Sequence, residues 1–309
     1  MSYFPKIDQT EFPVTKKEKL LLKNNNTSKK ISSFDKKIIN EIINFTNAFK
    51  KQKFFGGTWE WVDKEKRNNS NQNFEKKNYK NISTLFSNFF RNSLSFGLIS
   101  SHWDQNNKRG WEKKLTSDIL KNIASWEEFT KNSNKDFEFL KANKRIGNPY
   151  GLSYKNQLIL FDTPRHDYYA NKIEKLIKKS KKIPIILEIG GGYGGLVSQL
   201  IKRKIKFKYI NIDIFKTLPV AYYFLKKSFK INILVKNFVD KKTLEKNDFI
   251  FIPYYGQNFW KTDSKIDVLF NSNSFSEMGK KTLFQYFKTI NKKIKPNYIM
   301  HQNTNLSSF

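Results

Sequence analysis

The segment from Ile185 to Gly195 constrains the fold of this 309-residue chain more than any other part of the sequence. An apolar run, IILEI, leads directly into GGGYGG, and a helical pattern of apolar residues follows. Glycine allows a positive φ and a close approach to a ligand, and the first N–H groups of a helix have no intrahelical partners. The segment therefore predicts a strand, a ligand-binding turn and a helix.

The sequence after Pro184 alternates between strand and helix patterns. Such alternation predicts parallel strands joined by crossover helices. The expected fold class is α/β, with a Rossmann-like sheet preceded by a mainly helical region. The predicted strands are Ile185–Ile189, Lys208–Asp213, Ile231–Val235, Phe249–Ile252, Ile266–Asn271 and Tyr298–Gln302, and the main predicted helices are Gly194–Lys202, Lys216–Ser228 and Lys280–Ile294.

The chain divides into three predicted regions. Residues 1–34 are rich in Lys and Asn and are expected to form a flexible basic arm. Residues 35–145 carry apolar side chains mostly at helical spacing, which predicts a mainly helical cap region. A turn rich in Gly, Pro and Asn at Gly147–Gly151 marks the boundary, and the α/β domain is expected over residues 146–309.

The formal net charge of +31 suggests a nucleic-acid partner. Lys is accompanied, however, by an excess of Asn, Ile and Phe along the whole chain, and all four have AT-rich codons. We therefore attribute the charge to gene composition and do not predict a nucleic-acid partner. The absence of Cys excludes disulfides and zinc–thiolate sites, and no apolar stretch approaches the ~20 residues that span a bilayer. A cytoplasmic location is expected.

An acidic residue ends the second strand of the predicted sheet. The Asp213 carboxylate is placed to accept hydrogen bonds from two ribose hydroxyls. Gly190, Gly192 and Gly195 also fit the pattern G-x-G-x-x-G of NAD-binding proteins, so NAD stays open as a ligand. Two features favour S-adenosylmethionine: the glycines alternate at 190, 192 and 194, and Glu188 precedes them. A buried acid suits a cationic ligand and opposes a pyrophosphate.

Three segments together resemble a known family, the sugar O-methyltransferases encoded in bacterial surface-glycan gene clusters. They are Leu187–Gly195, Asp213 and the run FNSNSFSEM at Phe270–Met278. The resemblance extends over residues 145–303 and implies a Rossmann-like class I methyltransferase sheet. It implies S-adenosylmethionine as methyl donor and a sugar hydroxyl as acceptor, on a free sugar, a nucleotide sugar or a glycan.

The resemblance also implies roles for individual residues. The methionine part of S-adenosylmethionine would be held by Glu188, Gly190, Gly192, Tyr193 and Gly194, and its ribose by Asp213. Asn271 would lie beside the methyl group. Related folds close with an antiparallel hairpin after the last strand, and that hairpin is expected to be missing here.

Candidates for a general base are few, because the chain has three His residues. A sugar hydroxyl is a poor nucleophile, and a base within hydrogen-bond reach accelerates its reaction by about 10²- to 10⁴-fold. His301 follows the last strand and Glu277 the strand before it, at the sheet edge where ligands bind. His166 lies just ahead of the helix that leads into the α/β domain, in a position to reach over the cofactor. The predicted catalytic residues are therefore Glu277, His301 and His166. A divalent metal held by His166 and Asp167 stays open, although two adjacent side chains are a weak pattern for a metal site and no metal ligand is predicted.

Three other functions remain open at this point. A nucleic-acid methyltransferase fits the net charge, although DNA amino-methyltransferases resemble one another in a proline-containing loop that is absent after Asn271. An NAD-dependent sugar-nucleotide enzyme and a non-catalytic binding module are the others. The Trp residues at 59, 61, 103, 111 and 126 are expected to form core rather than a sugar-stacking surface.

Overall fold

A computed structural model describes residues 19–21, 32–49, 78–103, 108–130, 137–178, 180–253 and 259–303. Trp59 and Trp61 and most of the predicted basic arm lie outside these residues. No helix among the described residues is both long and apolar enough to cross a membrane.

A six-stranded parallel sheet forms the centre of the α/β region. Its strands are β4 (Ile185–Ile189), β5 (Lys208–Asp213), β6 (Leu234–Val235), β8 (Phe249–Pro253), β10 (Val268–Ser272) and β11 (Tyr298–Gln302). Their order in the sheet is β11-β10-β4-β5-β8-β6. The first strand after Pro184, β4, therefore lies in the middle, with later strands added on both sides of it. All neighbouring pairs in this sheet are parallel.

Helices precede the sheet and connect its strands. Those before it are α1 (Ser33–Phe49), α2 (Tyr79–Ser87) and α3 (Lys108–Phe129). Those leading into the sheet or linking it are α4 (Thr163–Ile177), α5 (Gly195–Lys202), α6 (Leu218–Phe229), α7 (Lys241–Lys246) and α8 (Lys280–Thr289). The prediction of an α/β fold with a Rossmann-like sheet after a mainly helical region is confirmed.

The two faces of the sheet pack against separate apolar clusters. On one face, Ile186, Phe251 and Phe270 belong to a cluster that also contains buried residues of α1, α2 and α3. On the other face, Leu187 and Ile210 join a second cluster. Alternate residues of a strand point to opposite faces, so β4 contributes to both clusters. The helical N-terminal region thus shares its core with the sheet.

Two small sheets lie outside the main one. In the first, β1 (Lys19–Leu21) pairs antiparallel with β2 (Gly151–Tyr154), which pairs with β3 (Gln157–Ile159). Residues 19–21 fall within the predicted flexible arm, which therefore contains an ordered strand. Pairing of Lys19–Leu21 with Gly151–Ser153 of β2 supplies this order. The second is the parallel pair β7 (Val239–Asp240) and β9 (Trp260–Lys261).

Two predicted elements differ from those in the structure. The predicted strand Ile231–Val235 shrinks to the two residues of β6, which pair with one edge of β8. The predicted helix Lys280–Ile294 is α-helical only to Thr289 and ends as a π-helix at Ile290–Ile294. A wider last turn of this kind is not encoded in apolar spacing, because Ile290 and Ile294 keep helical spacing in both cases.

Candidate functional site

A cavity of 360 Å³ opens at the carboxyl ends of β4, β5 and β10. This is the edge at which ligands bind in open parallel sheets. The volume lies within the range of sites that hold a cofactor or small molecule. Polar or charged side chains lining it belong to Ser100, His102, Arg165, His166, Glu188, Tyr193, Asp213, Ser272, Asn273, Ser274, Glu277, Thr282 and Tyr286. The glycine turn at residues 190–192 forms part of its wall.

The glycine turn adopts a backbone that favours glycine. Gly190, Gly192 and Gly194 have φ values of +75°, +56° and +87°. A Cβ on Gly190 would lie 2.3 Å from the Oγ of Ser274, whereas a Cβ on Gly192 would meet nothing nearer than the carbonyl of Leu98 at 3.5 Å. Gly190 is thus required for packing of the turn, whereas at Gly192, where a Cβ would make only an ordinary van der Waals contact, the positive φ is what favours glycine.

Asp213 connects the end of β5 to the glycine turn. Its Oδ2 accepts a hydrogen bond from Gly192 N at 3.1 Å, and its Oδ1 accepts one from Ile214 N at 2.7 Å. These two hydrogen bonds fix the orientation of the carboxylate at the cavity wall, where its oxygens are acceptors that face the ligand space.

Glu188 is a buried carboxyl group near the floor of the cavity. It is 4% exposed, and it accepts a hydrogen bond from the Tyr209 hydroxyl on β5. Burial raises the pKa of Glu188 to about 7, the Tyr209 hydrogen bond opposes this rise, and the charge of Asp213 adds to it. Near neutral pH this group holds a proton in part of the molecules and is ready to ionise beside a cation.

His166 packs against the start of α5. A Cβ on Gly195 would lie 2.2 Å from the Cε1 atom of His166, so only glycine fits there. The Tyr193 hydroxyl lies 3.4 Å from Nδ1 of the ring. Burial lowers the pKa of His166 to about 4; the charge of Asp162 opposes this shift and that of Arg165 adds to it. The imidazole is therefore neutral at pH 7.

A cluster around Asp162 joins the helical N-terminal region to the cavity. Asp162 accepts hydrogen bonds from Ser100 N at 2.9 Å, from Ser100 Oγ at 2.6 Å and from Arg165 Nη2 at 2.8 Å. The cluster thereby attaches residues 97–102 to the first turn of α4. Sequence reasoning missed these residues, because Ser100 and Asp162 are 62 positions apart and form no recognisable motif.

The charge of the described cavity wall is opposite to that of the chain. Three carboxyl groups line it, those of Glu188, Asp213 and Glu277. Among the described lining residues, Arg165 is the single Arg, and Lys does not occur. The whole chain, by contrast, has 58 Lys and Arg residues against 27 Asp and Glu. Such a cavity favours a ligand that carries positive charge.

Three predicted site residues do not line the cavity. Asn271 is fully buried, and its Nδ2 donates to Ile189 O at 2.8 Å and to Ser274 Oγ, which braces the turn from behind. Gly194 is the N-cap of α5. His301 lies on β11 next to Asn271 in register. The other predicted residues, Glu188, Gly190, Gly192, Tyr193, Asp213, Glu277 and His166, come together at the cavity.

Both carboxylate oxygens of Asp167 are engaged by side chains other than His166. Its Oδ1 accepts from Arg203 Nη2 at 2.8 Å, and its Oδ2 accepts from Trp126 Nε1 at 2.7 Å. Within the described ranges, no group of three or more His, Cys, Asp or Glu side chains is arranged to hold a metal ion.

Three of the Trp residues expected to form core lie within the described ranges. Trp126 is 1% exposed, and Trp103 packs edge-on against Trp111 with ring centroids 5.4 Å apart.

Neither a protein-family model nor a protein of curated function matches the sequence. Solved structures with a similar region include Haemonchus contortus phosphoethanolamine N-methyltransferase 2 in complex with phosphomonomethylethanolamine and S-adenosylhomocysteine (18% identity, 43% of this chain, 27% of that one, TM-score 0.30). A second is the small RNA methyltransferase HEN1 (13% identity, 48% of this chain, 17% of that one, TM-score 0.33). A third is the plantazolicin methyltransferase BpumL in complex with SAH (15% identity, 42% of this chain, 41% of that one, TM-score 0.28).

The matched regions span 17 to 41% of the length of these three proteins. The similarity therefore concerns part of each chain.

Proposed function

We propose that this chain is an S-adenosylmethionine-dependent methyltransferase. The observation that carries the proposal is the acidic cavity at the glycine turn of a strongly basic protein. S-adenosylmethionine carries a sulfonium and an ammonium group, both cationic, whereas the pyrophosphate of NAD would be repelled by the three carboxylates. The charge of the wall thus favours S-adenosylmethionine over NAD.

The residues present fit this cofactor. Gly192 forms part of the wall with its backbone at positive φ, Glu188 can ionise beside a cation, and the Asp213 carboxylate presents oxygen acceptors that suit a ribose diol. We assign the methionine part to Glu188 and to the turn residues Gly190, Gly192 and Tyr193, and the ribose to Asp213. When bound, S-adenosylmethionine supplies an electrophilic methyl group.

We propose a sugar hydroxyl as the methyl acceptor. The side of the cavity at the end of β10 presents Ser272, Asn273 and Ser274, which offer both hydrogen-bond donors and acceptors. Small polar groups of this kind suit a ligand rich in hydroxyls. The FNSNSFSEM run, on which the resemblance to sugar O-methyltransferases rests, includes all three residues. We accordingly propose that the protein acts in the cytoplasm, in the synthesis of surface glycans.

A sugar hydroxyl must lose its proton as its oxygen bonds to the methyl carbon. Glu277 and His166 both line the cavity. Glu277 is the better candidate, because protonating the buried His166 ring beside Arg165 is unfavourable. We therefore assign Glu277 as the general base, and we propose that His166 and the Tyr193 hydroxyl orient the acceptor.

Calorimetric titration with S-adenosylhomocysteine and with NAD tests the cofactor. We expect micromolar binding of S-adenosylhomocysteine alone, weakened by Asp213→Ala and by Glu188→Ala but not by the surface change Asp248→Ala. Binding of NAD alone, or of neither compound, contradicts the proposal. A screen of sugars, nucleotide sugars and glycans with radiolabelled methyl donor then tests the acceptor, and transfer to RNA or DNA instead would overturn the sugar assignment.

A further inference from the structure

The described cavity wall has one group with a permanent positive charge. That group is the Arg165 guanidinium, whose side chain is 18% exposed. A ligand with both cationic and anionic groups would place its cations at Glu188, Asp213 or Glu277. Its anion would have Arg165 as the matching partner.

The Arg165 side chain is held in a fixed position. Its Nη2 donates to Asp162 Oδ1 at 2.8 Å and to Ser100 Oγ at 3.3 Å. Burial acts to raise the pKa of Asp162, but the charge of Arg165 and two hydrogen bonds from Ser100 outweigh it and lower the pKa, so Asp162 stays ionised. An Arg fixed in this way loses little conformational entropy when it binds a second anion.

Arg165 retains unused donors. A guanidinium has five N–H groups, and the hydrogen bonds above use only Nη2. Its Nε and Nη1 have no hydrogen-bond partner within the part of the chain that the structure describes. Each of these three N–H groups can donate a charge-assisted hydrogen bond to a carboxylate oxygen while Nη2 stays on Asp162 and Ser100.

The position of Arg165 selects one part of the cofactor. Arg165 lines the same cavity as the turn to which the methionine part is assigned, and the next residue, His166, contacts Gly195 and approaches Tyr193 of that turn. The N-terminus of α4 begins at Thr163 and adds a favourable potential for an anion. A carboxylate on the amino-acid end of the cofactor would therefore meet Arg165.

We infer that Arg165 binds the carboxylate of the cofactor's amino-acid part, with Asp162 and Ser100 as positioning residues that hold the guanidinium and attach residues 97–102 to it. The inference rests on the proposed function. It adds a binding residue that lies outside the glycine turn and that couples occupancy of the cofactor site to one wall of the cavity.

The test compares two ligands that differ at the amino-acid end. S-adenosylhomocysteine has the carboxylate, and 5′-methylthioadenosine lacks the whole amino-acid end but keeps the adenosine and the thioether. We expect Arg165→Gln to weaken S-adenosylhomocysteine by about 10- to 100-fold, the usual range for a lost charge-assisted hydrogen bond. Binding of 5′-methylthioadenosine should change less than about threefold by the same reasoning, since it makes no contact with Arg165.

Arg145→Gln is the matched control, because Arg145 is exposed and lies outside the cavity. Arg165→Lys keeps the charge and should cause an intermediate loss, and it carries the test if Arg165→Gln does not fold. Hydrogen exchange of the Ser100 amide, which donates to Asp162, gives a second readout. S-adenosylhomocysteine should slow this exchange more than saturating 5′-methylthioadenosine does.

Equal losses for both ligands, or no loss for either, would overturn the role of Arg165 while leaving the proposed function standing. Equal effects of the two ligands on the Ser100 amide would overturn the coupling to residues 97–102. If the unmodified chain binds neither ligand, the proposed function fails first, and the inference fails with it.

Discussion

The Tyr209 hydroxyl donates a hydrogen bond to the Glu188 carboxyl group between the neighbouring strands β5 and β4. Tyr209 is fully buried, and Glu188 is almost so. The pKa of Glu188 is shifted by burial, by the hydrogen bond from Tyr209 and by the negative charge of Asp213, and no cation among the described residues contributes to the shift. The carboxyl group is poised to gain a charge when a cation arrives.

Affinity for S-adenosylhomocysteine should depend on pH through Glu188. Its pKa of about 7 means that the ionised fraction falls about tenfold from pH 8 to pH 6. If the ionised form binds the ligand ammonium, the dissociation constant rises about tenfold over this range. Glu188→Gln should give a flat profile, and Glu245→Gln, at the surface, the unmodified one. Calorimetry at three pH values measures this, and equal slopes in all three proteins would exclude the role.

The same carboxyl group should make the ligand-free protein less stable at higher pH. Its folded pKa lies above the value near 4.5 of an exposed Glu, so the folded state binds more protons between these values. Stability from this group therefore falls as the pH rises from about 4.5 to about 7. Glu188→Gln should raise Tm by several degrees at pH 8 and by less at pH 5. Scanning calorimetry that finds the reverse order would contradict the raised pKa.

Glu277→Gln should lower kcat for the sugar acceptor by about 10²- to 10⁴-fold, as expected for loss of a general base. His166→Asn should lower it less, because the buried ring resists protonation. Single-turnover assays with saturating methyl donor separate this effect from binding, and Glu245→Gln serves as the surface control. A larger loss with His166→Asn would transfer the role of base to His166.

The buried pair of Asp167 and Arg203 should contribute to stability and not to ligand binding. Arg203→Met would leave the Asp167 carboxylate without its cation, which costs about 3–5 kcal/mol for a buried pair. Denaturant unfolding measures the loss, with the exposed change Lys206→Met as control. Binding of S-adenosylhomocysteine by the folded variant should be unchanged, and weaker binding would show that this pair also supports the cavity.

Local sequence was sufficient to predict the glycine turn and the end of β5. The strand, the turn and the helix follow one another in eighteen consecutive residues (185–202), and Asp213 ends the next strand. Positive φ at Gly190, Gly192 and Gly194 is a backbone property that glycine itself signals. These features need no knowledge of the tertiary fold.

The part of the cavity wall at residues 97–102 could not be predicted from local sequence. Ser100 and Asp162 meet because α4 and the turn at residues 97–102 are brought together by a shared core. No periodicity links a serine after α2 with an aspartate before α4. Asn271 shows a related limit: its position at the end of β10 predicted a ligand contact, and the structure uses its amide to brace the turn.

The contrast between the acidic cavity and the basic chain has a kinetic consequence. At distances beyond the cavity, a net charge of +31 repels a cofactor whose own net charge is positive, and only the last few ångströms of its approach are attractive. Salt shortens the reach of the repulsion to about 8 Å at physiological ionic strength but acts less on contacts inside the cavity. Capture of S-adenosylmethionine should therefore become faster as ionic strength rises, which is the reverse of the usual behaviour of electrostatically steered ligands.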